Sequence, residues 1–273
     1  MNPSTTAMLD VHGLDCLVGR IPLLTGLHFT LAPGEVLAVI GRNGAGKSTL
    51  FKHLTGELPV RGGEVRLFGT PLEAHGAGDL ARQRAVVPQT THLPFSYEVL
   101  EVVLMGRIPH LRQRAESDED VTIARECLER VGLGGQEARD YQTLSGGEQQ
   151  RVHIARALAQ LHGTPGPRLL LMDEPTSSLD VAHQHQTLQL VKALAREGVA
   201  ALLILHDLNL VAQYADRVLV LAERRALAWG APGEVMTSEL LGRAFGYPMT
   251  TLPHPWLSCP LIVSGERPAR SGR

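Results

Sequence analysis

One short segment constrains this chain more than any other. Gly41-Arg42-Asn43-Gly44-Ala45-Gly46-Lys47-Ser48 fits the spacing G-x-x-x-x-G-K-[ST] at every fixed position, with Thr49 following. The run before it, Val36-Leu37-Ala38-Val39-Ile40, is continuous and apolar, as a strand buried on both faces must be. A helix is expected from about Lys47. The glycines let backbone N–H groups close around phosphate oxygens without Cβ clashes, and the helix start adds partial positive charge. Lys47 is placed to reach the β- and γ-phosphates, and the Ser48 hydroxyl to ligate Mg²⁺. Such a loop works only between a buried strand and a helix, so the chain must contain an α/β sheet.

A second strand carries the complementary chemistry. Leu169-Leu170-Leu171-Met172 is apolar and ends in Asp173-Glu174. Ligands of open α/β sheets bind beyond the carboxyl ends of the strands. Asp173 is therefore placed to hold Mg²⁺ through water, and Glu174 to polarise an attacking water. Around these strands the alternation continues: helix 181–196, strand 200–205, helix 207–215, strand 217–221. That pattern argues for a parallel sheet flanked by helices.

From about residue 88 to 163 the pattern is mostly helical, and this stretch is read as a subdomain inserted into the α/β domain. Ser96 can cap a helix running toward Met105, and 107–114, with its cations, His110 and Pro109, reads as a loop. Ser117 begins a second helix that Gly132 ends. Leu144-Ser145-Gly146-Gly147-Glu148-Gln149 opens a third. Ser145, Gly146 and Gly147 there offer free N–H groups, a hydroxyl and a helix dipole, which make a second anion-binding helix start. The domain is taken as 8–250, and 251–273 as a proline-rich tail without period and with a disordered end.

Composition narrows the classes. With 273 residues and 44% hydrophobic content the chain can bury a sizeable core. A net charge of −2 gives no electrostatic case for nucleic acid. No apolar run approaches the roughly 18 residues of a spanning helix, and Met1–Asp10 lacks a signal-peptide pattern. Cys16, Cys127 and Cys259 are too scattered for a disulfide framework or a zinc site. His183 and His185 lie two apart on a helix and so point to different faces, which argues against a metal pair.

Taken together, these motifs resemble those of the ATP-binding cassette (ABC) ATPases, over about residues 8 to 250. Leu144 to Arg151 resembles the family signature, Gln89 in Val86-Val87-Pro88-Gln89 the Q-loop, Ser177-Ser178-Leu179-Asp180 the D-loop, and His206 the switch histidine. The resemblance implies a P-loop NTPase core, an N-terminal antiparallel β portion and the inserted helical subdomain. It also implies ATP and Mg²⁺ as ligands. Gln89 would touch Mg²⁺ and water, Glu174 would be the catalytic carboxylate, and His206 would meet the γ-phosphate. Ser145, Gly146 and Gly147 would face the nucleotide of a second copy, in an ATP-dependent homodimer. The chain departs from the family at the adenine. The usual aromatic is missing from Leu17-Val18-Gly19-Arg20, where Val18 aligns best.

Within the family the chain looks most like ATPases of bacterial importers for haem, cobalamin and ferric siderophores. Asp180-Val181-Ala182-His183-Gln184-His185, His206-Asp207-Leu208-Asn209-Leu210 and His254-Pro255-Trp256-Leu257-Ser258-Cys259-Pro260 resemble haemin-import subunits most. That resemblance implies a peripheral location on the cytoplasmic face of the inner membrane, an integral permease dimer and, indirectly, a periplasmic haem-binding protein. The subdomain would dock the permease, through apolar and cationic surface at Tyr97 to Arg114. The alternatives are a cobalamin or siderophore importer, or a soluble ABC protein acting on nucleic acid or ribosomes. A single P-loop and no sustained heptad run disfavour the latter. A regulatory GTPase is disfavoured because no asparagine precedes a lysine.

Overall fold

The computed structural model describes residues 7–19, 21–89, 93–111 and 115–265. Two strands open the chain: β1 (Leu9–Val18) and β2 (Ile21–Leu31) pair antiparallel. Then come β3 (Val36–Ile40), α1 (Lys47–Thr55), β4 (Glu64–Leu67), β5 (Thr70–Pro71), α2 (Ala77–Gln83) and β6 (Arg84–Val87). The helical segment holds α3 (Val99–Leu104), a 3₁₀ turn over Met105–His110, α4 (Asp118–Arg130) and α5 (Gly146–Leu161). The α/β alternation resumes with β7 (Leu169–Asp173), α6 (Val181–Arg196), β8 (Ala200–Ile204), α7 (Leu208–Tyr214), β9 (Arg217–Ala222) and β10 (Arg225–Gly230). The chain closes with α8 (Pro232–Val235), α9 (Ser238–Phe245), β11 (Met249–Pro253) and β12 (Pro260–Ser264).

The central sheet has the order β10-β9-β3-β8-β7-β6, parallel except for β10 at one edge. A smaller antiparallel sheet, β2-β1-β4-β5, covers one face. Strand β3 shows why a continuous apolar run was needed. Val36, Ala38 and Ile40 pack with the helices, while Leu37 and Val39 pack with the antiparallel sheet and α1. Each face of the central sheet thus seeds its own core, and a polar side chain has no place on this strand.

The helical segment forms its own apolar centre from α3, α4 and α5. Ser117 caps α4 in a reciprocal box with Asp120, and Gly132 past its end takes φ +72°, as a left-handed stop requires. Two expectations need correction here. The cap of α3 is Glu98, boxed with Glu101, because the Ser96 hydroxyl is taken by the Asp140 carboxylate at 2.6 Å. Residues 105–110 are not loop but a 3₁₀ turn, with Arg107 turned inward to Asp120; of the expected loop, 112–114 lie outside the described residues.

The boundary expected at residue 250 falls inside a strand. β11 and β12 form a hairpin, and Asn209 of α7 holds it through both amide atoms, accepting from Ile262 N–H at 2.8 Å and donating to its carbonyl at 3.2 Å. Alternating prolines hid this hairpin, because they occupy its ends without breaking the pairs between. The end expected to be disordered lies mostly outside the described residues. No helix among the described residues is long and apolar enough to cross a membrane.

Candidate nucleotide site

Three neighbouring strands aim their carboxyl ends at one place. β3 runs into the Gly-rich loop, β7 into Asp173-Glu174, and β8 toward His206. Register pairs Asp173 with Ile204, and Ile204 with Val39, so the three exits lie side by side. Residues some 165 apart in sequence therefore meet because the sheet order is 3-8-7.

The loop is held open by its own backbone. Gly44 and Gly46 adopt φ +80° and +95°, which side chains resist, and a Cβ on Gly41 would lie 2.4 Å from the Leu221 carbonyl oxygen. Helix α1 starts at Gly46 with no side-chain cap, so its first N–H groups are left for a ligand. Lys47, buried by its surroundings, donates its ammonium to the Gly41 carbonyl at 2.7 Å and to the Arg42 carbonyl at 3.3 Å. Burial holds its pKa below the usual lysine range, against the pull of Glu174 and Asp173.

A cavity of about 590 Å³ lies over the loop. Asn43, Gly44, Gly46, Lys47, Ser48 and Thr49 line one side, and Gln89, Glu174 and His206 the other. Glu174 is gripped from two directions. Gln89 Nε2 donates to one carboxylate oxygen at 2.8 Å, and His206 Nε2 lies 2.5 Å from the other. Its backbone takes φ +51°, rare for a residue with a side chain. Gly41, Arg42 and Ala45 do not line the cavity; they shape the loop beneath it.

Asp173 sits behind Glu174, almost wholly buried, and its Oδ1 has no hydrogen-bond partner. Burial pushes its carboxyl up to about 6, the Glu174 charge adds to this, and Lys47 works against it. An unpartnered buried carboxylate oxygen beside a phosphate loop is suited to a hard cation or its water.

Ser145, Gly146 and Gly147 lie outside this cavity. They begin α5 against the chain's own residues 178–179: a Cβ on Gly147 would stand 3.1 Å from the Ser178 carbonyl oxygen. The expected free helix start is partly engaged. Ser145 Oγ accepts from Glu148 N–H, and the Glu148 carboxylate accepts from Ser145 N–H at 2.8 Å.

One cavity residue escaped the sequence. Leu23 of β2 lines the cavity, visible only once β2 folds over the loop. Val18, 55% exposed, pairs with Ile21, 66% exposed, so the first hairpin ends in an apolar tip and not an aromatic one.

The comparisons with known proteins agree with this geometry. The ABC transporter family profile matches residues 24–177. The hemin import ATP-binding protein HmuV of Deinococcus radiodurans is 60% identical over 96% of this chain and 99% of that protein. Its namesake in Gloeobacter violaceus is 46% identical over 94% of each chain. Among solved structures, an inward-facing transporter described as of the metal-chelate ABC type superposes with TM-score 0.81 at 30% identity, covering 96% of this chain and 98% of that one. A dimeric bacterial ABC transporter cassette gives 0.73 at 27% identity, over 82% and 98%. With its phosphate loop, paired carboxylates and His206 gathered at the carboxyl ends of three neighbouring strands, the chain belongs to the ABC transporter ATP-binding family.

Proposed function

We propose that this chain is the ATP-hydrolysing subunit of a haemin importer, peripheral to the cytoplasmic face of the inner membrane and docked on a permease dimer. The observation that carries the enzymatic reading is the shared cavity of Lys47, Ser48, Gln89, Glu174 and His206. The cargo reading is supported by the high identity to hemin import proteins over nearly the whole of both chains.

The loop N–H groups and Lys47 hold the triphosphate, so Lys47 must first leave the Gly41 and Arg42 carbonyls. Ser48, Asp173 and Gln89 would hold Mg²⁺, which supplies charge neutralisation at the β- and γ-phosphates. Glu174 polarises the attacking water, and His206 donates to the γ-phosphate. Both first release the contact they make with each other. Ser145 and Gly147 of a second copy complete the site; the dimeric cassette among its structural neighbours supports that arrangement. Phe95 and Ile108, both exposed, supply the apolar surface for a permease. Leu104 and Arg107 are buried and do not.

The test is reconstitution with the permease in liposomes. Haemin uptake should require ATP, and Glu174→Gln should bind ATP yet lose about 10²–10⁴-fold in single-turnover rate. Unchanged turnover in Glu174→Gln rejects its role. Uptake of cobalamin or a ferric siderophore, with none of haemin, rejects the cargo.

A further inference from the structure

A second cleft, of about 460 Å³, lies away from the nucleotide, between the helical segment and α6. Arg130 and Val131 at the end of α4, Arg151 of α5, and His183, Leu190 and Ala193 of α6 all line it. Its volume is in the range of small-molecule sites.

His183 is prepared in a particular way. Its backbone N–H and its ring Nδ1 both meet Asp180 Oδ1, at 2.9 and 2.8 Å. Those contacts hold the Asp180 carboxyl below its usual range, so it is ionised and can only accept. Nδ1 is therefore the donor, and in the neutral ring Nε2 is the nitrogen left to accept or ligate. A carboxylate behind one ring nitrogen is the arrangement that orients histidine ligands of metals and raises their basicity. His185 belongs to another neighbourhood, its Nδ1 2.8 Å from the Tyr214 hydroxyl, so the two histidines do not act as a pair.

The metal must arrive with its own ligands. Among the described residues no group of three or more His, Cys, Asp or Glu could hold a free ion. A single imidazole suffices only for a metal already held in a macrocycle. The other walls fit such a ligand. Leu190 and Ala193 offer apolar surface, with the nearly buried Val131 beneath them, and Glu129, Gln186, Thr187 and Gln189 complete the lining. Arg151 donates through Nη1 to the Val131 and Gly132 carbonyls at 3.3 and 3.4 Å, while its Nε is buried without a partner. Among the described residues Arg130 makes one long, partly exposed pair, with Glu197 at 3.5 Å. Two guanidinium groups beside an apolar wall suit a flat apolar body that carries carboxylates.

We propose that this cleft binds an iron porphyrin dicarboxylate, with His183 Nε2 as axial ligand and Arg130 and Arg151 facing the carboxylates, and that occupancy restrains ATP hydrolysis. The restraint follows from the position. α5 begins at Ser145, and α6 follows the 178–180 turn against which Gly147 packs. A ligand bridging α4, α5 and α6 would couple the cleft to the Ser145 end of α5, where the second-copy contact is proposed. The regulatory meaning, feedback by imported product, rests on the haemin reading above; the binding itself does not.

The probe is ferric protoporphyrin IX, titrated into the full chain alone and assembled with its permease. The wild type should shift the Soret band saturably, and His183→Ala should weaken binding at least tenfold with basal ATPase unchanged. Leu190→Trp, which fills the apolar wall, should weaken it likewise, and metal-free protoporphyrin should bind weakly and equally to wild type and His183→Ala. Added haemin should slow ATP turnover of the assembled wild type and leave His183→Ala unaffected. Equal haemin affinity in wild type, His183→Ala and Leu190→Trp overturns the site, even where haemin uptake succeeds. A His183-dependent Soret shift with no haemin uptake leaves the site standing and overturns the cargo reading instead.

Discussion

Removing the Arg107 guanidinium should destabilise the helical segment more than it disturbs permease binding. The sequence places Arg107 among surface cations, yet the side chain is 7% exposed and its partner Asp120 is 1% exposed. Its Nε donates to Asp120 Oδ1 at 3.0 Å, and Nη1 to the Ala159 and His162 carbonyls at 2.8 and 3.0 Å. One side chain thus ties the 3₁₀ turn to the first turn of α4 and the last of α5. Arg107→Ala removes a charged partner from a buried carboxylate and strands two carbonyls. Breaking one side of a buried pair costs about 3–5 kcal/mol, a large share of the roughly 5–15 kcal/mol that holds a domain folded. Urea unfolding followed by far-UV circular dichroism reads the loss. Arg107→Met with Asp120→Leu should lose less than Arg107→Ala, because no charge is left buried, although the α4 cap costs about 1 kcal/mol. An Arg107→Ala protein within about 1 kcal/mol of wild type, with weakened permease affinity, would refute the reasoning and return Arg107 to the docking surface.

Three further outcomes follow from particular contacts. Val18→Tyr should tighten ATP binding, while leaving inorganic tripolyphosphate unchanged, because base stacking on an aromatic is worth about 1–3 kcal/mol; paired calorimetric titrations compare the two. Ser145→Arg should bind ATP normally but neither dimerise nor hydrolyse it; sedimentation in saturating ATP on a Glu174→Gln background checks the first, and single-turnover rates with Glu174 intact check the second. His153 is buried, its Nε2 2.7 Å from the Tyr141 hydroxyl, and burial lowers its pKa to about 4. The native state then binds fewer protons than the unfolded one, so stability should fall by up to about 3 kcal/mol as pH drops from about 6.5 through 4. Urea midpoints for His153→Leu with Tyr141→Phe should be flatter across that window.

The elements that sequence placed well are those whose pattern has a local cause. The bounds expected for α6 match, because Asp180 caps it and its apolar stripe runs unbroken. The phosphate loop was legible because its glycines and lysine serve one chemistry at fixed spacing. Misreadings arose where a distant partner decides. Ser96 has the composition of a cap, but Asp140, far along the chain, takes its hydroxyl and leaves Glu98 to cap α3. Arg107 looks like surface until α4 and α5 close over it. Leu23 enters the nucleotide cavity by a hairpin register that no local periodicity reports. The β11–β12 hairpin was missed because its anchor, Asn209, lies more than fifty residues upstream.

The two helix starts at the proposed nucleotide interface differ in a way that orders their use. α1 begins at a glycine with no side-chain cap, so its N–H groups have no competitor inside the chain. α5 begins at Ser145 inside a complete capping box, and Arg139 holds the boxing Glu148 at 3.1 Å. A phosphate at α1 therefore displaces no side-chain cap, only the carbonyl contacts of Lys47. A phosphate at α5 must share the Ser145 end with a carboxylate already there, whose charge repels it. The first contact is intrinsically favourable and the second is conditional on a phosphate presented with its charge already offset, by Lys47 and a cation. In the proposed dimer, that asymmetry would let a single chain load nucleotide without closing on a second copy, and closure would depend on how the triphosphate is held. The energetic distinction between loading and closure would then reside in a glycine at one helix start and a serine–glutamate box at the other.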